Sequence, residues 1–96
     1  MIIGENSIVV DKNVWADFYL PDRPLHDQAF RFINTAEKHN ANLAIPADAV
    51  KDVFYVVGNH MKQLVRENGG TVDEATAHAI NDFAWRCVDH MTDLAV

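Results

Sequence analysis

Some apolar residues of this chain stand next to each other in short runs, which predict strands. Others recur at helical spacing over longer segments, which predict helices. Residues 8–10 are consecutive β-branched residues and predict a short, fully buried strand. Residues 43–45 predict a second strand, and residues 91–96 predict a third. The first strand ends abruptly at the polar segment 11–13, so an acidic residue follows it directly.

Between the predicted strands, apolar residues recur at the spacing of one helix face. Residues 14–19 and 26–39 predict the first two helices. A third helix ends before Gly69-Gly70, and Thr71 and Glu74 form a capping box for a fourth. The apolar faces of the third and fourth helices contain Val50, Val53, Phe54, Val57, Met61, Leu64, Val65, Ala75, Ala79, Ile80, Phe83, Cys87 and Val88.

The predicted element order is β-α-α-β-α-α-β, over a single domain at residues 1–96. Strands joined through helices favour an α/β fold, here a three-stranded parallel sheet with helices on both faces and right-handed crossovers. Ligands of such sheets bind beyond the carboxyl ends of the strands. Asp11 directly follows the first strand and therefore occupies a position where chemistry is expected.

Composition and charge limit the classes of function that the chain can have. The chain has 96 residues, 14 acidic against 8 basic, and a formal net charge of −6. An acidic domain gains little from nonspecific attraction to phosphate, which disfavours a simple nucleic-acid-coating module but permits an enzyme that approaches phosphate through a bound cation. One cysteine, no signal peptide and no apolar run of about 20 residues predict a cytoplasmic protein without a membrane span.

Asp11 and Asp52 are the candidate catalytic pair. Asp52 lies one turn inside the predicted third helix, whose N-terminus sits beside the carboxyl ends of parallel strands, so the two carboxylates are expected to converge. Each also has a purely structural interpretation. Asp11 or Asn13 can cap the first helix, and Asp52 can be a solvated acid of a first turn. Asp48 is a cap candidate first and a substitute for Asp52 second.

The segment 8–14, with Asp11 and Asn13 after an apolar strand, resembles the opening strand of the PIN domain family of metal-dependent ribonucleases. The loop 21–24 is similar to the loop that many members have next. Segments 43–46 and 51–57 resemble the second strand and the helix that carries the family's second acid. The match covers about half of the chain.

The resemblance implies an endoribonuclease that uses Mg²⁺ or Mn²⁺, with Asp11 and Asp52 as metal ligands. Asn13 would orient the Asp11 carboxylate or a bound water. Asp17 is a candidate from its position alone: it lies near Asp11 but one helical turn further on, where it can support the ligands only indirectly. It also implies an RNA substrate and, as in many members, the toxin of a toxin–antitoxin pair with a cognate antitoxin. Lys12 departs from the family's usual small hydroxyl residue; it can neutralise Asp11, contact RNA phosphate or point into solvent.

The family's remaining acids have no counterpart in these 96 residues. We therefore expect little or no nuclease activity from this chain unless a dimer or a complementing chain completes the site. We also expect homo-oligomers that form through an unpaired edge of the first strand. The alternative function is a non-catalytic PIN remnant that acts as a binding or assembly module through that edge.

Overall fold

The computed structural model describes residues 7–94, which form two strands and four helices. The strands β1 (Ser7–Val9) and β2 (Asn42–Ala44) pair in parallel, with Ile8 opposite Leu43. The helices are α1 (Lys12–Tyr19), α2 (His26–Lys38), α3 (Ala49–Glu67) and α4 (Glu74–Leu94).

The expected three-stranded α/β fold is wrong, because the described part of the chain is about 70% helical and its only sheet has two strands. The observed order is β-α-α-β-α-α. The predicted third strand at 91–96 falls on residues 91–94, which continue α4, and on the last two residues, which lie outside the described part.

Periodicity explains why α4 continues through Met91. The buried residues of α4 are Ile80, Ala84, Cys87, Val88 and Met91, and their spacing keeps them on one helix face. Met91 is fully buried on that face. Met and Leu are also good helix formers, whereas a strand favours β-branched and aromatic residues. An apolar stripe that ends at Val88 stops one turn short of Met91, which is why residues 91–96 alone resemble a strand.

Helix α1 is central to the core. Trp15 and Ala16 are fully buried, and Leu20 follows them at the C-terminal end of the helix. The main cluster also includes Val10, which follows β1, and residues of β2 and the other three helices, namely Ile33, Ala36, Leu43, Val53, Val57, Ala84, Cys87, Val88 and Met91. Burial raises the pKa of the Cys87 thiol to about 11, so the thiol is neutral at ordinary pH.

The loop between α3 and α4 is closed at both ends by local hydrogen bonds. Gly69 has a positive φ of 80°, and the amides of Gly69 and Gly70 donate to the carbonyls of Arg66 and Val65, which is a Schellman motif. At the other end Asp73, and not the expected Thr71, accepts the Thr76 amide at 2.8 Å. This amide also lowers the pKa of Asp73.

The expectation that residues 8–10 form a fully buried strand is also wrong. Val10 is buried, but Val9 is 63% exposed and Ile8 is half-buried. Side chains of consecutive strand residues point to opposite faces of the sheet, so Val9 lies on a face that is open to solvent. Among residues 7–94, no helix is both long enough and apolar enough to cross a membrane.

Candidate functional site

The parallel pairing of β1 and β2 brings their carboxyl ends to the same edge of the sheet. Helix α1 begins just after β1, and α3 begins a few residues after β2, so two helix N-termini meet at this edge. Between them lies a small polar cleft of about 120 Å³. It is lined by Asp11, Lys12, Pro46, Asp48, Ala49 and Asp52. We call it the carboxylate cleft.

Asp11 is both a helix cap and part of the carboxylate cleft. Its backbone is extended, and its Oδ2 accepts the backbone N–H of Asn13 at 3.1 Å. Asp11 therefore caps α1, as its structural interpretation predicted. This hydrogen bond also fixes the direction of the carboxylate, which remains exposed at the mouth of the cleft.

Asp52 forms an ion pair across the cleft. Its Oδ2 accepts a hydrogen bond from the Lys12 Nζ at 3.2 Å, which joins the first turn of α3 to the first residue of α1. Both side chains are partly exposed, at 44% for Lys12 and 29% for Asp52. The bond to Asp52 raises the pKa of Lys12, and the charges of Asp48 and Asp11 act in the same direction. Lys12 thus lies in the field of all three carboxylates.

Asp48 belongs to the cleft and not to the helix cap that we expected. It stands at the N-cap position of α3, but its side chain makes no capping hydrogen bond. Its carboxylate is therefore available to the cleft, where it adds a third negative charge. The sequence signal for this role was its spacing of four residues from Asp52, which places both on one face of α3.

Asn13 contacts a residue of the carboxylate cleft, whereas Asp17 lies outside it. Asn13 contacts Asp11 through its backbone N–H. Asp17 lines no part of the carboxylate cleft; it is only 7% exposed and its Oδ1 accepts a hydrogen bond from Arg23 Nε at 2.5 Å. The Asp17 carbonyl lies 2.8 Å from His26 Nδ1. Asp17 therefore joins α1 to the loop and helix that follow.

The histidines that form hydrogen bonds do so away from the cleft. His60 Nε2 lies 2.8 Å from Asp22 Oδ2, and this contact lowers the pKa of Asp22. The Tyr19 hydroxyl lies 2.8 Å from His90 Nδ1. These contacts join α3 and α4 to the end of α1 and the loop after it, which is a structural role.

The carboxylate oxygens of the cleft suit a hard divalent cation in chemical type and in charge. Carboxylate oxygens are the ligands that such ions prefer, and the Lys12 ammonium already shows that a positive charge is stabilised at this position. The number of ligands is low. Within residues 7–94, no three acidic, histidine or cysteine side chains are grouped closely enough to hold a metal ion.

Comparison with known proteins identified no relative: no protein-family model, curated protein or solved structure matches this chain.

Proposed function

We propose that this chain carries the first half of a PIN-type endoribonuclease site, in which Asp11 and Asp52 hold Mg²⁺ or Mn²⁺. By the same resemblance, the protein is the toxin of a cytoplasmic toxin–antitoxin pair. The observation that supports the site is the carboxylate cleft itself. Asp11 and Asp52 come from segments about 40 residues apart, yet they line one small cleft at the carboxyl ends of parallel strands.

Each residue of the cleft has a role in this proposal. Asp11, held by the Asn13 amide, and Asp52, at the N-terminus of α3, are the ligands; Asp48 adds charge and can take the place of Asp52. Lys12 supplies an ammonium group for a phosphate oxygen of RNA once it leaves Asp52. A bound ion would lower the pKa of its coordinated water and stabilise negative charge on the phosphate.

The test is cleavage of single-stranded RNA in Mn²⁺, with the wild-type chain, Asp11→Asn and Asp52→Asn. Wild-type cleavage should be slow, should stop in EDTA, and should fall by at least about 100-fold in either variant, since each removes a charged ligand. Asp89→Asn is the matched control, because Asp89 is an exposed acid on α4. Cleavage that survives Asp11→Asn and Asp52→Asn would contradict the proposal.

A second candidate function is assembly without catalysis, through the open edge of β1. The Val10 amide donates to the Ala44 carbonyl, and backbone groups of consecutive strand residues point to opposite edges. The N–H and C=O of Val9 therefore point away from β2, and within residues 7–94 no strand pairs with them. Two copies of such an edge can pair antiparallel about a two-fold axis.

Sedimentation of the wild-type chain and Val9→Lys tests this candidate. A dimer that dissociates in Val9→Lys, but not in the control Tyr55→Lys, would support pairing through β1; Tyr55 is similarly exposed, on α3. Dissociation should be the same in Mg²⁺ and in EDTA, because no ion takes part. A wild-type chain that is monomeric at micromolar concentration would contradict assembly through this edge.

A further inference from the structure

The long helix pair α3 and α4 extends beyond the main hydrophobic cluster. The buried residues of that cluster come from α3 as far as Val57 and from α4 only from Ala84 onward. Residues 58–67 and 74–83 therefore form a projecting pair of helices, which we call the helical arm. Two packed helices bury only the faces that they turn toward each other, so apolar residues on their other faces remain open.

A shallow, uncharged groove of about 440 Å³ lies on the helical arm. Phe83 on its wall is 37% exposed, and Ala75 and Ala79 are exposed as well. These three residues follow at intervals of four, so they form one apolar stripe along α4. Met61 of α3 and Thr76 and Ile80 of α4 complete the lining of the groove.

The charge of this groove suits a second copy of the chain. The formal net charge is −6, so two copies repel each other least where the contact surface carries no charge of its own. No lining residue of the groove on the arm is charged. The two grooves beside α2, in contrast, include Arg31 in one and Asp17 in the other.

The stripe is also complementary to itself. If two α4 helices lie antiparallel about a two-fold axis at Ala79, each Phe83 lies opposite Ala75 of the other copy, about 6 Å from the axis along the helix. The short side chain of Ala75 leaves room for the ring. Arg86 is exposed three turns after Ala75, on the same side of α4, and this register brings it beside the exposed Asp73 of the other copy. The pairing thus matches large with small and basic with acidic.

We propose that the helical arm is a homodimer interface, in which α4 of two copies packs antiparallel about an axis at Ala79 and each Phe83 enters the groove of the other copy. The two arms then form a four-helix arrangement that buries the stripe left open in one copy. This interface uses neither the open edge of β1 nor the carboxylate cleft, so it is independent of the proposed function.

Sedimentation equilibrium of the wild type, Phe83→Lys and Trp85→Lys tests the interface. Phe83→Lys should raise the Kd of the dimer at least about 100-fold, because each dimer contains this buried aromatic anchor twice. Trp85→Lys is the matched control: it removes an exposed aromatic ring and adds the same charge, but on the opposite side of α4. Circular dichroism establishes that each variant is folded. A rise in Kd for Phe83→Lys alone would support the interface.

A disulfide tests the register without disturbing the packing of Phe83. Ala79→Cys should link two copies under mild oxidation, because the axis brings the two substituted positions together. Asn81→Cys, which lies off the stripe, should not, and the native Cys87 is buried.

Three results would overturn the inference. One is a wild-type chain that is monomeric at micromolar concentration. Another is a dimer whose Kd is unchanged in Phe83→Lys and that Ala79→Cys does not cross-link. The third is a dimer that dissociates in Val9→Lys but not in Phe83→Lys, which would place the contact at β1.

Discussion

At the scale of single residues, Trp15 is the most constrained side chain of the core. It is fully buried in the middle of α1, and it packs against Phe18 and Tyr19. Its indole Nε1 has no hydrogen-bond partner among the described residues. Trp15 thus combines a large apolar contribution with the cost of an unpaired buried donor.

Two substitutions at Trp15 separate these contributions. Trp15→Ala should lower the free energy of unfolding by about 3–5 kcal/mol, because it leaves a large cavity. Trp15→Phe should cost about 2 kcal/mol or less, because it retains an aromatic ring and removes the unpaired N–H. Urea denaturation followed by circular dichroism measures both. Equal losses of unfolding free energy in the two variants would show that the unpaired indole N–H does not destabilise the folded state.

The convergence of Asp11 and Asp52 was predictable from the sequence, but the partner of Lys12 was not. Parallel strands bring their carboxyl ends together, so an acid after the first strand and an acid at the next helix N-terminus are expected to meet. The direction of a long, flexible lysine depends on which charges lie within reach, and these are known only when α3 is placed against α1. The placement of Asp17 with Arg23 could not be predicted for the same reason.

At the scale of elements, the helices were predicted well and the third strand was wrong. The three longer helices, α2, α3 and α4, each have an apolar stripe, a strong periodic signal that tertiary packing reinforces. A six-residue segment with four apolar residues at the end of a stripe, such as 91–96, is ambiguous, because its few positions fit a strand and a last helical turn equally. Met91 resolves the ambiguity, since it continues the buried face of α4.

Substitution of Met91 tests this assignment. Met91→Ala should lower the free energy of unfolding by about 2–5 kcal/mol, as expected for a fully buried side chain, and Met91→Leu should cost less than about 1.5 kcal/mol. Equilibrium urea unfolding provides the measurement. The neighbouring Thr92→Ala is the control, because Thr92 is exposed and should change stability little. A neutral Met91→Ala would contradict packing of this segment into the core.

The N-cap of α4 provides a prediction about pH. The Thr76 amide lowers the pKa of Asp73 below its usual 3.8, so the folded state binds its proton less tightly than the unfolded state. The stabilising effect is complete above pH 3.8 and is lost as the pH falls through the folded-state pKa. Asp73→Asn retains a capping oxygen but does not titrate.

The difference in thermal stability between the wild type and Asp73→Asn should therefore be constant above about pH 5 and should narrow as the pH falls toward 2. Melting curves by circular dichroism over this range provide the test. A difference that widens toward low pH would have the wrong sign for a cap with a lowered pKa. A flat difference would mean that the cap contact is not formed in solution.

At the scale of the whole molecule, the described chain is elongated, with extents of 47 × 25 × 17 Å and a radius of gyration of 14.5 Å. A compact chain of this length has a radius of gyration of about 12.5 Å. The excess length comes from the pair α3 and α4, which are 19 and 21 residues long and pack against each other. The carboxylate cleft lies at the N-terminus of α3, on the sheet side of this helix pair.

Acidic side chains occur along the whole chain, 14 in all, and a divalent cation meets many of them in solution. The proposed function requires Asp11 and Asp52, which line one cleft, to hold such an ion in preference to the other acids. The exposed acids of α2 and α4 lie in high dielectric, where a carboxylate attracts an ion only weakly; Asp89 and Asp93, four residues apart on α4, are the closest competitors in spacing. The location of the bound ion therefore tests this preference, which affinity alone does not.

The most direct measurement is paramagnetic broadening of amide signals in a ¹⁵N–¹H NMR spectrum during titration with Mn²⁺. The amides of residues 11–13 and 48–52 should broaden first, and Asp11→Asn together with Asp52→Asn should remove this early broadening. Early broadening at the acids of α4, such as Asp82 and Asp89, or uniform broadening along the chain, would show that the carboxylate cleft is not the preferred cation site.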